Sequence, residues 1–323
     1  MAILVTGATG FIGRHLTKRL LAEGDLIRVV TRDPGRLPPE WSSRVEVVTG
    51  NLRDRSIQEV ATKGAKVLFN LAGETQNVAL MRAVNVEAVK GLLEAAVAAG
   101  VKRVVHLSSV GVIGADRPGV INEETPCQPK NGYEQTKFEG EQAVIEFAQS
   151  GRIEAVIIRP TIVFGEGQER YRDSLLEWLK TVQRGRFYFI GRKAIANFVY
   201  VGDVVEVVVR LAECPANRSA VYIIADPAPM CDFVQAMAQA LGVAVPTSSV
   251  PVWLAYAAGV ALDVTNRILG MPAPLTLARV RALSSQCLFS GDRLRKEVGL
   301  LLPFGYRAGL LRTVRWYRDV GSL

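Results

Sequence analysis

The chain has 323 residues, of which 49% are apolar and 22% charged, and it carries a net charge of +8. That balance is enough for a buried core without disulfide or metal staples. The residues Ala2–Val5 are too few for a secretory h-region, and the longest apolar stretch, Val250–Leu262, contains Pro251 and Gly259, ends at Asp263 and falls short of the roughly 20 residues that a membrane span needs.

The first 160 residues alternate short, almost continuously apolar runs with helical stretches. Ala2–Thr6, Leu26–Thr31, Val45–Thr49, Val67–Asn70, Arg103–Ser108 and Ala155–Arg159 read as strands buried on both faces. Phe11–Ala22, Ser56–Thr62, Met81–Ala99 and Tyr133–Gln149 read as the helices between them. Strand–helix alternation of this kind implies an α/β fold with a doubly wound parallel sheet and right-handed crossovers.

After Gly165 the rhythm changes. Tyr171–Arg184, Asp203–Ala212, Asp232–Leu241, Val252–Leu269, Leu275–Leu283 and Arg307–Tyr317 read as helices, with one strand at Val221–Ala225. The expected division is a first domain over 1–165 and a smaller, mainly helical substrate domain over 166–323. Segments such as 198–212 are expected to return to the first domain's sheet. From Arg267 onward there are ten Lys/Arg and three Asp/Glu, so most of the positive excess sits in this last part. A solvated face, an anionic substrate and a membrane surface all fit that excess. No nucleic-acid-binding motif accompanies it, so nucleic acid is not an expected partner.

Two motifs carry the chemistry. The first, Thr6-Gly-Ala-Thr-Gly-Phe-Ile-Gly13, follows the first strand and opens the first helix. Gly7 permits a tight turn, Gly10 clears space for a pyrophosphate, and Gly13 lets helix and strand pack closely. The helix N-terminus adds favourable charge for phosphate. Thr9, Phe11, Ile12 and Arg14 belong to the same candidate dinucleotide site. At the end of the second strand Thr31 stands where an acid would hold a ribose 2′-hydroxyl, and Arg32 follows. Arg32 with Arg14 favours NADP, while Asp33 keeps NAD open. Asn51 and Leu52 are candidates for the adenine end, and Leu71, Ala72 and Gly73 for the stretch where backbone runs beside the cofactor.

The second motif is Tyr133-Glu-Gln-Thr-Lys137, whose ends share one helix face. A tyrosine near pKa 10 is a poor base at neutral pH unless a neighbouring ammonium stabilises its phenolate. Between the motifs the fifth strand ends in Ser108 and Ser109, at the sheet edge where ligands bind in such folds. Ser109 is the candidate for orienting the reacting oxygen, with Ser108 beside it. His106 and His15 read as core histidines, and no metal site is expected. The four cysteines, Cys127, Cys214, Cys231 and Cys287, form no C-x-x-C pair and read as reduced thiols. The expected location is therefore the cytoplasm, either free or peripheral to a membrane.

With these residues in view, the chain resembles the extended short-chain dehydrogenase/reductases, a family of Rossmann-type enzymes. It includes nucleotide-sugar epimerases and dehydratases, 3β-hydroxysteroid dehydrogenases and ketoreductases. The resemblance covers Thr6–Gly13, Asn70–Gly73, Asn85, Ser108–Gly114, Tyr133–Lys137, Arg159–Gly165, Val201–Asp203 and Gly309–Arg318. It implies hydride transfer at a carbinol carbon, with Ser109, Tyr133, Lys137 and Asn85 as the catalytic set and Pro160 at the cofactor. It also implies a homodimer through the helices at Met81–Ala99 and Tyr133–Gln149. Val110-Gly111 replaces the Asp-Glu pair that the family's 4,6-dehydratases carry. Ile162 and Ile113 replace the asparagine and tyrosine common in its sugar-nucleotide members. Together with the apolar Val252–Leu262 stretch, these departures imply a small-molecule substrate that is apolar or lipid-linked, whereas the basic C-terminal part pulls toward a diphosphate-bearing one. An NADP-dependent dehydrogenase or ketoreductase, a nucleotide-sugar epimerase with retained NAD, and a non-catalytic accessory subunit are the three readings; the intact Tyr133 and Lys137 weigh against the last.

Overall fold

The computed structural model describes residues 2–114, 117–168, 174–214, 219–269 and 276–323. The first half runs β1 (Ala2–Thr6), α1 (Phe11–Ala22), β2 (Ile27–Thr31), β3 (Val45–Thr49), α2 (Arg55–Thr62), β4 (Ala65–Asn70), α3 (Val78–Arg82), α4 (Ala88–Ala98), β5 (Arg103–Leu107), β6 (Gly119–Ile121), α5 (Gly132–Gln149) and β7 (Glu154–Pro160). The second half runs β8 (Ile162–Phe164), α6 (Ser174–Gln183), β9 (Phe189–Ile190), β10 (Ile195–Tyr200), α7 (Val201–Glu213), β11 (Ser219–Ile224), β12 (Asp226–Pro229) and α8 (Met230–Leu241). It continues with β13 (Ser249–Val250), α9 (Val252–Leu269), α10 (Leu277–Ser284), β14 (Cys287–Phe289), α11 (Asp292–Val298) and α12 (Gly305–Asp319).

Seven strands form one sheet in the order β11-β7-β5-β4-β1-β2-β3, and every pairing in it is parallel. The fold is the doubly wound α/β fold that the apolar runs imply. β1 shows why. Ile3 and Val5 point into the core beneath α1 and α7, whereas Leu4 points into the opposite core beneath α2, α4 and α5. A strand sandwiched this way has no polar face, so its sequence cannot alternate. Leu16 and Leu20 of α1 are essentially fully buried, each worth about 1.5–3 kcal/mol over exposure. The chain reverses direction across the sheet on either side of β1, which opens a crevice at the carboxyl ends of β1, β4 and β5.

β11 closes the far edge of the sheet and α7 packs against α1. α7 and β11 therefore pack with the first half of the chain. The remainder is less helical than its sequence suggests: among the described residues it holds six short strands (β8, β9, β10, β12, β13 and β14), which pair with one another or, for β14, with β6 of the first half across long sequence separations. An aromatic cluster supports them: the rings of Phe198 and Phe233 stack at 4.8 Å, and Phe164 meets Phe233 edge-on at 6.3 Å. Asp203, at the start of α7, accepts the backbone N–H groups of Phe304 (2.8 Å) and Gly305 (3.0 Å), tying α12 to the sheet. Burial pushes its carboxyl up to about 6 despite those two donors. The helix expected at Tyr171–Arg184 is seen over Ser174–Gln183, with Tyr171 outside the described residues, as is Leu275 before α10.

Candidate active site

The turn after β1 is built by close approach of three backbones. Gly7 sits at φ +72°, and a Cβ there would lie 2.8 Å from Ala72 N and from the Leu71 carbonyl carbon. A Cβ on Gly13 would lie 2.1 Å from Gly7 O. No other residue fits at Gly13 without moving β1 or α1. The turn is pinned by Gly10 N donating to Gly7 O at 2.8 Å. Gly10 stands at the N-cap of α1 and brings no capping side chain of its own, so the helix start is not covered by one there. A glycine cradle at an uncapped helix start fits a pyrophosphate.

The loop after β2 lies against this turn. Arg14 Nη2 donates to Arg36 O at 2.5 Å and its Nε to Thr9 O at 3.3 Å, which holds the guanidinium over the loop that carries Arg32. Arg32 is exposed. Asp33 is exposed and caps the turn that follows it: its Oδ1 accepts Gly35 N at 3.0 Å, and its backbone is clasped by Thr31 Oγ1. Gly50 N donates to Thr31 O at 2.9 Å, bringing Asn51 and Leu52 alongside the same loop. Asn51 Oδ1 accepts Arg53 N at 3.1 Å. Pro160 is buried at the end of β7, in register with Ile224.

Beneath the crevice Thr6, Asn70 and His106 stand in one row across β1, β4 and β5. Thr6 Oγ1 donates to Asn70 Oδ1 at 2.8 Å, so the Asn70 amide nitrogen faces His106 Nδ1 at 3.0 Å. That orientation makes Nδ1 the acceptor and leaves the proton on Nε2. Burial, with Lys137 nearby, holds His106 neutral, well below its ordinary pKa. His106 Nε2 and Ser108 Oγ are buried without a hydrogen-bond partner. Two orphaned polar atoms at the carboxyl edge are what a polar ligand or an ordered water would satisfy.

Ser109, Tyr133 and Lys137 come together at this edge. Ser109 caps a short turn, its Oγ accepting Gly111 N at 3.1 Å. The same hydroxyl hydrogen-bonds the Tyr133 phenol. Burial raises the Tyr133 pKa more than that bond lowers it, so the phenol is protonated at neutral pH. Lys137 is buried, and its Nζ donates to Leu107 O at 2.5 Å. Burial brings its pKa down to about 8, with the Glu141 carboxylate opposing the fall. In the structure the Lys137 ammonium is held by the Leu107 carbonyl at the end of β5, and burial is the largest influence on the phenol.

Asn85 lies in a π-helical turn, Ala83–Glu87, between α3 and α4. Its Oδ1 accepts Glu74 N (2.8 Å), and its Nδ2 donates to Glu74 O (2.9 Å) and Thr136 Oγ1 (3.1 Å). The amide is thus engaged in clamping the loop after Gly73 to α5. A Cβ on Gly140 would lie 2.1 Å from Asn85 O, so α5 can sit this close only with glycine there. Sequence reasoning missed Thr136, Glu74, Gly140 and Glu141. Glu141 is fully buried and pairs with Arg159, its Oε2 accepting Arg159 Nε at 3.0 Å. The signal for it was an acid four residues after Lys137. Cys127 Sγ lies 3.3 Å from Arg159 Nη2, and burial pushes its thiol up, which makes it a packing residue here.

These features define a class: a dinucleotide-binding α/β enzyme with a Ser–Tyr–Lys set at the edge of its sheet. The comparison with known families places it. Residues 3–225 match the model of the NAD dependent epimerase/dehydratase family, and the chain belongs to that family, the extended short-chain dehydrogenase/reductases, as an NAD(P)-dependent enzyme. One relative is the N-acetyl-alpha-D-glucosaminyl-diphospho-ditrans,octacis-undecaprenol 4-epimerase of Escherichia coli O157:H7, 27% identical over 97% of this chain and 94% of that protein. Another is Sterol demethylase protein B of Methylococcus capsulatus, 29% identical over 100% of both chains. Among solved structures, MoeE5 in complex with UDP-glucose and NAD shares the fold, with a TM-score of 0.74 and 24% identity over 99% of each chain. Among the described residues no helix is long and apolar enough to cross a membrane.

Proposed function

We propose that the protein reduces a ketone, or oxidises the matching secondary alcohol, with NADP as hydride carrier and Tyr133 as the acid/base. The observation that carries this reading is the hydrogen-bonded Ser109–Tyr133 pair beside the buried Lys137. The nicotinamide supplies or takes the hydride when bound. Ser109 orients the reacting oxygen. Tyr133 delivers the proton to that oxygen as the carbonyl carbon gains the hydride, and the Lys137 ammonium, held at the end of β5 while the phenol is protonated, is the positive charge available to the phenolate that results. For the cofactor, Arg14, bonded to the loop that carries Arg32, supports NADP, as does Asp33, whose Oδ1 is taken up by Gly35 N. For the substrate, Val110-Gly111 supplies no acid/base pair for dehydration, and Ile162 is an exposed apolar residue where a sugar-nucleotide ligand would be polar. Both features support an apolar or lipid-bearing substrate.

A second reading, an epimerase that retains NAD and returns the hydride, draws on the undecaprenol-linked relative. The nucleotide co-purifying with the protein separates the two. Readily exchanged NADPH and net oxidation of it by a ketone support the reductase; tightly retained NAD with no net turnover overturns it. A homodimer across the outward groove between α4 and α5, where Val86, Phe138 and Ala143 lie among charged neighbours, belongs to the same proposal and is checked by sedimentation velocity.

A further inference from the structure

The β9–β13 pair, α9 and α10 form a small lobe of their own. Its core is slight: Ile190, Ala255 and Val280, with Val250, Tyr256 and Leu283 packed around them. α9 buries Ala255 and Gly259 against α10 and turns its other faces outward. Trp253 is 72% exposed, Val260 50% and Leu254 45%, and no charged residue occurs from Gly242 to Leu262. Tyr188, just before β9, is 55% exposed. A soluble surface helix normally carries charge on its outward face, and this one carries none over three turns.

The surroundings of that face are one-signed. The segment from Arg184 to Lys193 holds Arg184, Arg186, Arg192 and Lys193 with no carboxylate, and α10 adds Arg279 and Arg281. All six are exposed. Gly191 lies against Val252, which brings Arg192 and Lys193 to the start of α9. The lobe thus presents exposed aromatic and aliphatic side chains rimmed by six cations.

We propose that this lobe docks the protein on an anionic lipid surface, with the apolar face of α9 at the headgroup boundary and the cations on lipid phosphates. Tryptophan and tyrosine suit that boundary, having an apolar body and a polar edge. Apolar insertion and electrostatic attraction to anionic lipid reinforce each other in such helices. A second copy of the chain fits less well, since a two-fold contact would set a basic rim against a basic rim. The inference does not depend on the reaction proposed above.

The test is co-sedimentation of the full chain with vesicles of phosphatidylcholine alone and of equimolar phosphatidylcholine and phosphatidylglycerol. Binding is expected to the anionic vesicles and to weaken with salt. W253E/V260E is expected to lower partitioning at least tenfold while thermal midpoint and nucleotide affinity stay unchanged. R192E/K193E, which alters only exposed charge, is expected to weaken anionic-vesicle binding. The vesicle-dependent blue shift in tryptophan emission is expected to vanish in W253F, whose binding persists. Failure of the chain to bind either vesicle, or equal binding by W253E/V260E and the parent, overturns the proposal. So does conversion of an oligomer to a monomer by W253E/V260E, which would assign the face to a second copy.

Discussion

The nucleotide turn and the α9 lobe are built on opposite principles. At the turn, backbones touch: Gly7 against Leu71 and Ala72, Gly13 against Gly7, and further along Gly140 against Asn85. Each contact admits one residue type at one position, so function is written as fixed spacing. In the lobe little is packed and much is displayed. Its message lies in which side chains face solvent, and that depends on a fold the local sequence does not announce. The contrast teaches where substitution should hurt: at the turn through geometry, in the lobe through surface chemistry alone.

The largest expected effect is at the turn. Gly13→Ala sets a Cβ 2.1 Å from Gly7 O, and overpacking of this kind typically costs about 1–3 kcal/mol. A lower thermal midpoint and loss of measurable nucleotide binding in calorimetry are expected; unchanged binding would break the claim that backbone contact defines the site. Gly140→Ala should come next. It pushes α5 off the Asn85 turn, and a fall in kcat of about tenfold or more, with nucleotide affinity nearly kept, is expected from the sensitivity of catalysis to small misplacements.

The pH profile sharpens the comparison further. Lys137, brought down to about 8 by burial, loses its ammonium as pH rises through that value. Activity is expected to decline there. Because the folded pKa lies below the unfolded value of 10.5, the native state binds fewer protons above pH 8. The contribution of this group to stability therefore rises with pH across the same window. Activity and stability moving in opposite directions, measured by steady-state rates and thermal melts, would separate a chemical role for Lys137 from a structural one. The smallest effect concerns Arg32. Arg32→Ala is expected to weaken NADPH about tenfold, the loss of one charge-assisted contact, and to leave NADH unchanged. Equal change for both nucleotides would make Arg32 a surface residue.

The sequence made the sheet legible because its strands are buried on both faces and their apolar runs are unbroken. Gly7, Gly10 and Gly13 were legible because spacing encodes the turn, and Tyr133 with Lys137 because a helix face has a fixed period. What stayed hidden depends on pairing at long range. β10 joins β8 and β12, and β14 joins β6, through segments of three to six residues whose partners lie far along the chain. Asn85 could be marked by resemblance, but its bonds to Glu74 and Thr136 could not, since they join two loops and a helix only in the folded state. The resting environment of Tyr133 is hidden for a related reason. Spacing puts Lys137 on the same helix face, yet burial and the Leu107 carbonyl decide where its charge acts.

The central claim is that Tyr133 moves the proton that accompanies hydride transfer. The direct measurement is a single-turnover assay with NADPH deuterated on the transferred position and a panel of apolar ketones, run with the parent chain and Tyr133→Phe. The account predicts a monodeuterated alcohol from the parent. From Tyr133→Phe it predicts unchanged NADPH affinity with a rate lower by about a thousandfold, the range for loss of a positioned acid. Deuterium transfer by Tyr133→Phe at the parent rate would contradict it.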